Sequence, residues 1–80
     1  MTPTDEDFDD MHHAIGRRGI KNAYRNNYCT EAGSETARRF EALGFWDKRC
    51  AINDGRDVIY TVNMTGLAAL EKWLAKGLIR

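Results

Sequence analysis

The chain has only two cysteines, one proline and no net charge, with twelve Lys and Arg against twelve Asp and Glu in 80 residues, and it has no long apolar run. The missing run excludes a membrane-spanning helix. Cys29 and Cys50 are too few for the disulfide framework of a small secreted domain, and the acidic N-terminus is unlike a signal peptide, so the expectation is a cytoplasmic chain with reduced thiols. The one proline, Pro3, falls in a short tail, residues 1–4. Neutrality removes the basic excess of a protein that coats nucleic acid.

Signatures of catalysis are missing as well. There is no Gly-x-Ser-x-Gly and no phosphate loop, and Gly16-x-x-Gly19 is too short a pattern to hold a nucleotide. Cys29 with His12 or His13 supplies the residue types of a nucleophile and base and nothing more, so no enzyme is expected. Asp9, His12, His13, Cys29 and Cys50 are zinc-binding types. Adjacent histidines on a helix point about 100° apart, however, and no Cys-x-x-Cys or His-x-x-x-His occurs, so neither a metal nor a cofactor is expected.

Eighty residues make one domain, residues 1–80, with a thin core that buries about 60% of the unfolded surface. Its zero charge is divided. Residues 1–16 carry Asp5, Glu6, Asp7, Asp9 and Asp10 and no Lys or Arg, a charge of −5, so the remainder is +5. Most of that excess lies in residues 17–56, where nine bases face five acids.

Thr4 before Asp5, Glu6 and Asp7 reads as a helix start, and Phe8, Met11 or His12, and Ile15 recur at helical spacing up to Gly16. Ile20, Tyr24 and Tyr28, each four apart, predict a second helix over about residues 19–28 with both tyrosines on its buried stripe. Asn26 and Asn27 are expected to cap its end. Ser34 caps a third helix with Ala37, Phe40 and Leu43 inward and Gly44 as its stop. Runs 46–52 and 57–62 around Asn53-Asp54-Gly55-Arg56 predict a hairpin with Val58, Tyr60 and Val62 inward. A last helix, capped by Asn63, turns Leu67, Leu70 and Leu74 inward with Trp73 beside them.

Residues Arg38-Arg39-Phe40-Glu41-Ala42-Leu43-Gly44-Phe45-Trp46, then the charged hairpin, then Tyr60-Thr61-Val62-Asn63-Met64-Thr65-Gly66-Leu67-Ala68-Ala69-Leu70, resemble the recognition helix, wing and following helix of MarR-like and PadR-like regulators. Asn63 stands at the cap position and Gly66 at the glycine of that pattern. Glycine in the first turn lets the helix sit close against the sheet. The resemblance covers residues 34–74 and implies an α+β fold, a small winged helix with three N-terminal helices, a two-stranded wing and a C-terminal helix. Residues 16–28 are similar to a segment of small uncharacterised tailed-phage and prophage proteins, which implies a bacterial host cell.

The winged-helix reading makes Ser34, Arg38, Arg39, Lys48, Arg49 and Arg56 the DNA-binding residues. Ser34 and its neighbouring amides would meet a phosphate, the two helix arginines the major groove, and the other three the backbone beside the wing. Arg17, Arg18, Lys21 and Arg25 add a basic stretch suited to nucleic acid or another partner. The expected function is transcription regulation on double-stranded DNA. The alternative is a phage-encoded module that inhibits a host protein complex, with Asp5, Asp9 and Asp10 as an acidic contact helix. A homodimer seam at Trp73 and Leu74 is compatible with either.

Overall fold

A computed structural model describes residues 2–77 of the chain. The order is α1 (Asp5–Ala14), β1 (Tyr28–Glu31), α2 (Glu35–Leu43), β2 (Trp46–Ile52), β3 (Asp57–Val62) and α3 (Met64–Gly77). The class is α+β. The helices α1 and α2 pack on a three-stranded antiparallel sheet of order β1-β3-β2, and α3 packs on α1 and sends Leu70 into the same core. Among the described residues, no helix is long and apolar enough to cross a membrane.

The second half follows its local signals closely. Ser34 accepts a hydrogen bond from the Ala37 amide and starts α2, and Gly44 ends it in the left-handed conformation at φ 74°. Asn53, Asp54 and Gly55 all take positive φ, as a tight hairpin loop requires. Alternation in β3 turns Val58, Tyr60 and Val62 inward, all buried. Asn63 caps α3 through Oδ1 to the Gly66 amide at 2.8 Å, and its Nδ2 reaches back to the Gly44 carbonyl at 3.0 Å. Gly66 is required by proximity: a Cβ there would stand 2.5 Å from the Phe45 carbonyl oxygen.

The predicted helix over 19–28 does not form. Gly16, Arg17 and Gly19 take φ of 100°, 59° and 80°, which no right-handed helix accommodates, and the chain then passes through a turn at Ile20–Ala23 and runs irregularly into β1. Its polar groups are satisfied elsewhere. The Arg17 amide bonds the His12 carbonyl and the Asn27 amide the Ala14 carbonyl. Asn26 caps no helix: its side-chain amide takes a strand's place, donating to the Val62 carbonyl at 2.9 Å and accepting from the Val62 amide at 2.8 Å. This continues the β1 register, in which Tyr28 faces Tyr60. Two helices and a strand therefore precede the hairpin, in place of three helices.

The core is built on stacked aromatics. Phe40 of α2 lies on Trp46 of β2 with centroids 3.9 Å apart, and Tyr28 and Tyr60 meet Phe40 edge-on at 5.0 and 5.3 Å. Met11, Ala14, Ile15 and Leu70 close it from α1, its C-cap and α3. Trp73 stacks on Phe8 of α1 at 5.5 Å and donates to Asp5 at 3.0 Å, so the residue expected at a dimer seam packs within its own chain. Cys29 and Cys50 both lie opposite Ile59, on either side of the central strand. That spacing of about 10 Å exceeds disulfide reach, and both thiols are free and exposed.

The buried Asp7 carboxylate joins helix to helix. It accepts from the Thr4 amide at 2.7 Å, completing a capping box, and from Arg39 Nε of α2 at 2.9 Å, with a second, shorter bond from Arg39 Nη2. The arginine bond and the Thr4 bonds hold its pKa below the usual carboxylate value against the opposing effect of burial. Asp10 is the opposite case, raised by its half-burial and then by Asp9, Asp7 and Glu6.

Three variants test this packing by denaturant unfolding. Gly66→Ala is expected to destabilise by about 1–3 kcal/mol, because α3 must move off Phe45. Asp7→Asn is expected to cost about 2–3 kcal/mol at pH 7, since cap and charged bond go together. The Asp7 contribution is present above about pH 4 and lost as pH falls through its lowered value, so the variant's deficit shrinks in acid. Asp10→Asn, by contrast, removes a disfavoured charge and is expected to hold or raise stability at pH 7.

Candidate nucleic-acid interface

The outer face of α2 presents less positive charge than its sequence suggests. Arg39 is turned into the bond with Asp7 of α1. Arg38 remains exposed, its Nε donating to the Gly33 carbonyl at 3.2 Å, which folds the side chain back over the helix's first turn. Ser34, beside it, spends its oxygen on the helix cap and lies 3.3 Å from the Thr30 hydroxyl. Glu41 accepts from the buried Tyr60 hydroxyl at 2.9 Å, and burial with that bond pushes the tyrosine up to about 12.

The hairpin brings Arg56 to the same end of α2. Its carbonyl accepts from the Ala32 amide at 2.7 Å, which ties the loop to the turn between β1 and α2. Lys48 and Arg49 stand exposed on β2, an edge strand. Between Lys48 and Cys50 the register with β3 slips by one residue, a bulge at Arg49. Such a bulge bends and twists an edge strand and re-aims the side chains there. Arg38, Lys48, Arg49 and Arg56 form no ion pair among the described residues.

The segment between α1 and β1 carries the other basic group, and here the structure departs most from expectation. Residues 11–30 contain no Asp or Glu. Arg17 pairs with Asp9 of α1 at 2.6 Å, which lowers the Asp9 pKa. Arg18, Lys21 and Arg25 have no acidic partner among the described residues. Tyr24, expected in the core, is 62% exposed, with the Arg18 and Arg25 guanidinium carbons 5.3 and 5.7 Å from its ring centre. Arg25 is anchored by a 2.8 Å bond from Nη2 to the His13 carbonyl. Only the irregular backbone exposes this ring. The doubled asparagine and the two glycines were the sequence signals against a helix there.

Most acids of α1 are bonded within the chain, though Asp5 and Asp9 remain exposed. Asp5 accepts from Trp73, Asp7 is buried on Arg39, Asp9 holds Arg17, and Asp10 is half-buried. Asp7 escaped the sequence reading as a structural residue. Its place three residues after the Thr4 cap is the capping-box spacing, which could have found it, but nothing local points to Arg39.

His12 is structural too. Its Nε2 accepts from the Gly19 amide at 3.1 Å, and burial, followed by Arg17, lowers its pKa. No cluster of three or more His, Cys, Asp or Glu that could hold a metal occurs among the described residues. Against protein-family models, curated proteins and solved structures the chain finds no significant match.

The His12 bond predicts a pH response of the basic segment. Because the folded value lies below the unfolded one of about 6.5, the neutral form favours folding above that pH, and this contribution is lost as pH falls through the folded value. Hydrogen exchange of the Gly19 amide, corrected for intrinsic rate, is expected to lose protection on acidification, and His12→Ala to show that loss already at neutral pH.

Proposed function

We propose that the protein is a small DNA-binding regulator on a winged-helix-like scaffold, with α2 presented to the duplex and the β2–β3 hairpin as its wing. Support comes from a hairpin that directly follows α2, from a third strand that pairs with its inner arm, and from the close seat of Gly66 at the start of α3. The observation that carries the reading is the sorting of charge. Arg17 and Arg39 are taken up by the acids of α1, while Arg38 folds over the first turn of α2, the Arg56 backbone is tied to the turn before it, and Lys48 and Arg49 continue along an exposed edge.

With Arg39 withdrawn, base reading by α2 rests on Arg38 alone, and Glu35 stands exposed one turn before it. The contact is therefore dominated by backbone phosphates, tolerant of sequence and steep in salt. The similarity of residues 16–28 to small tailed-phage proteins supports a phage or prophage origin and a bacterial cytoplasmic setting. The alternative of a host-protein inhibitor draws support from residues 34–57, where five acids equal five bases. Its acidic contact helix is less available than the sequence suggests, since Asp5 and Asp9 are bonded within the chain.

Fluorescence anisotropy on random duplex DNA is expected to give micromolar or tighter binding at about 50 mM salt, with log affinity falling by about 3–4 per tenfold rise in salt for four phosphate contacts. The double variant Arg38→Gln, Arg56→Gln is expected to reduce that slope by about 2. Absence of binding at low salt would overturn the reading.

A further inference from the structure

We propose that Tyr24, Arg18 and Arg25, with the hollow beside them, form a binding site for an unpaired nucleotide of single-stranded DNA or RNA. The base stacks on the Tyr24 ring and the adjoining phosphate lies against Arg25. This goes beyond the duplex reading and uses neither α2 nor the hairpin, so the two stand or fall separately.

The first observation is the presentation of the ring. Tyr24 is 62% exposed, and its hydroxyl has no hydrogen-bond partner among the described residues, so the side chain does little for the core. Yet it is held in place. One face of the ring lies over Gly16 so closely that a Cβ there would stand 2.3 Å from Tyr24 Cε1, and Gly16 holds a φ of 100° suited to glycine, so the opposite face is the one offered to a base. An exposed aromatic seated on backbone is a preorganised stacking surface, with little rotamer freedom left to lose on binding.

The second observation is charge. No carboxylate occurs from Met11 to Thr30, and the two guanidinium groups lie 5.3 and 5.7 Å from the ring centre. Arg25 is fixed by the His13 carbonyl, whereas Arg18 makes no hydrogen bond among the described residues. An incoming base displaces Arg18 from the ring, and the freed guanidinium swings to a phosphate. Arginine suits both positions because it stacks on aromatic faces and pairs with phosphate oxygens.

The third observation is shape. A polar hollow of about 220 Å³, lined by His13, Arg25, Asn27, Tyr28 and Cys29, shares Arg25 with the ring. It offers imidazole, amide and guanidinium donors to a sugar-phosphate and no acid. An acidic peptide would satisfy the arginines but leave the ring face and this hollow unused, so the nucleotide is the better fit.

The test is anisotropy with the full chain, using labelled oligo-dT and oligo-rU of about ten nucleotides, a duplex, and a poly-Glu peptide of equal charge. Tyr24→Ala is expected to weaken single-strand binding about tenfold while changing duplex binding less than about twofold, and Tyr24→Phe to stay within about twofold of the parent on both. Arg18→Gln, which cannot disturb the Gly16 seat, is expected to weaken single-strand binding as well. A preference for dT or rU assigns the source of the strand. The proposal is overturned if neither oligonucleotide binds, if Tyr24→Ala and the parent bind them equally, or if poly-Glu binds as tightly as the oligonucleotides.

Discussion

The Asp7 carboxylate is the point from which the arrangement of helices and charges follows. It is buried, and a buried carboxylate is tolerated only where hydrogen bonds and an opposite charge offset its lost hydration. Thr4 and Arg39 provide both. One side chain thus starts α1 and fastens it to α2, a helix thirty residues further on, next to Phe40, which stacks on Trp46. In so small a domain, with ten hydrophobic residues in the core cluster among the described residues, one such polar tie is a large share of what joins the helices.

The same tie decides which charges face outward. By taking Arg39 it narrows the cationic face of α2, and Asp9 likewise withdraws Arg17 from the basic segment. What stays exposed is Arg38 with Arg56 at one end of α2, Lys48 and Arg49 on the bulged edge strand, Arg18 and Arg25 at Tyr24, and Lys21 beside Ile20. The neutral total therefore conceals internal neutralisation at the junction of α1 with the rest, and cations elsewhere that carry no carboxylate of their own. That pattern suits a modest, salt-sensitive affinity for phosphate backbones better than a strongly basic coat.

Much of the fold was legible because its signals are local. The Ser34 cap, the Asp54-Gly55 loop, the alternation of Val58, Tyr60 and Val62, and the Asn63 cap each act within a few residues of themselves, and each element formed where its signal stood. The expected helix over 19–28 is absent because Ile20, Tyr24 and Tyr28 only imitate a helical stripe. Nothing in that spacing reports that Gly16 and Gly19 would turn left-handed, or that Asn26 would pair with Val62 thirty-six residues away. The candidate site meets the same limit. The arginines were visible, but the partners that claim Arg39 and the backbone that exposes Tyr24 are tertiary facts.

The central claim is that the fold withdraws two arginines and leaves the rest as a nucleic-acid surface. Amide chemical-shift mapping of the isotope-labelled chain, titrated with duplex DNA at low salt, tests it most directly. The account predicts shifts concentrated in residues 32–38 and 48–56, with residues 5–10 of α1 and the amide of Arg39's partner Asp7 unmoved. Shifts centred on α1, or spread evenly over the chain, would contradict it.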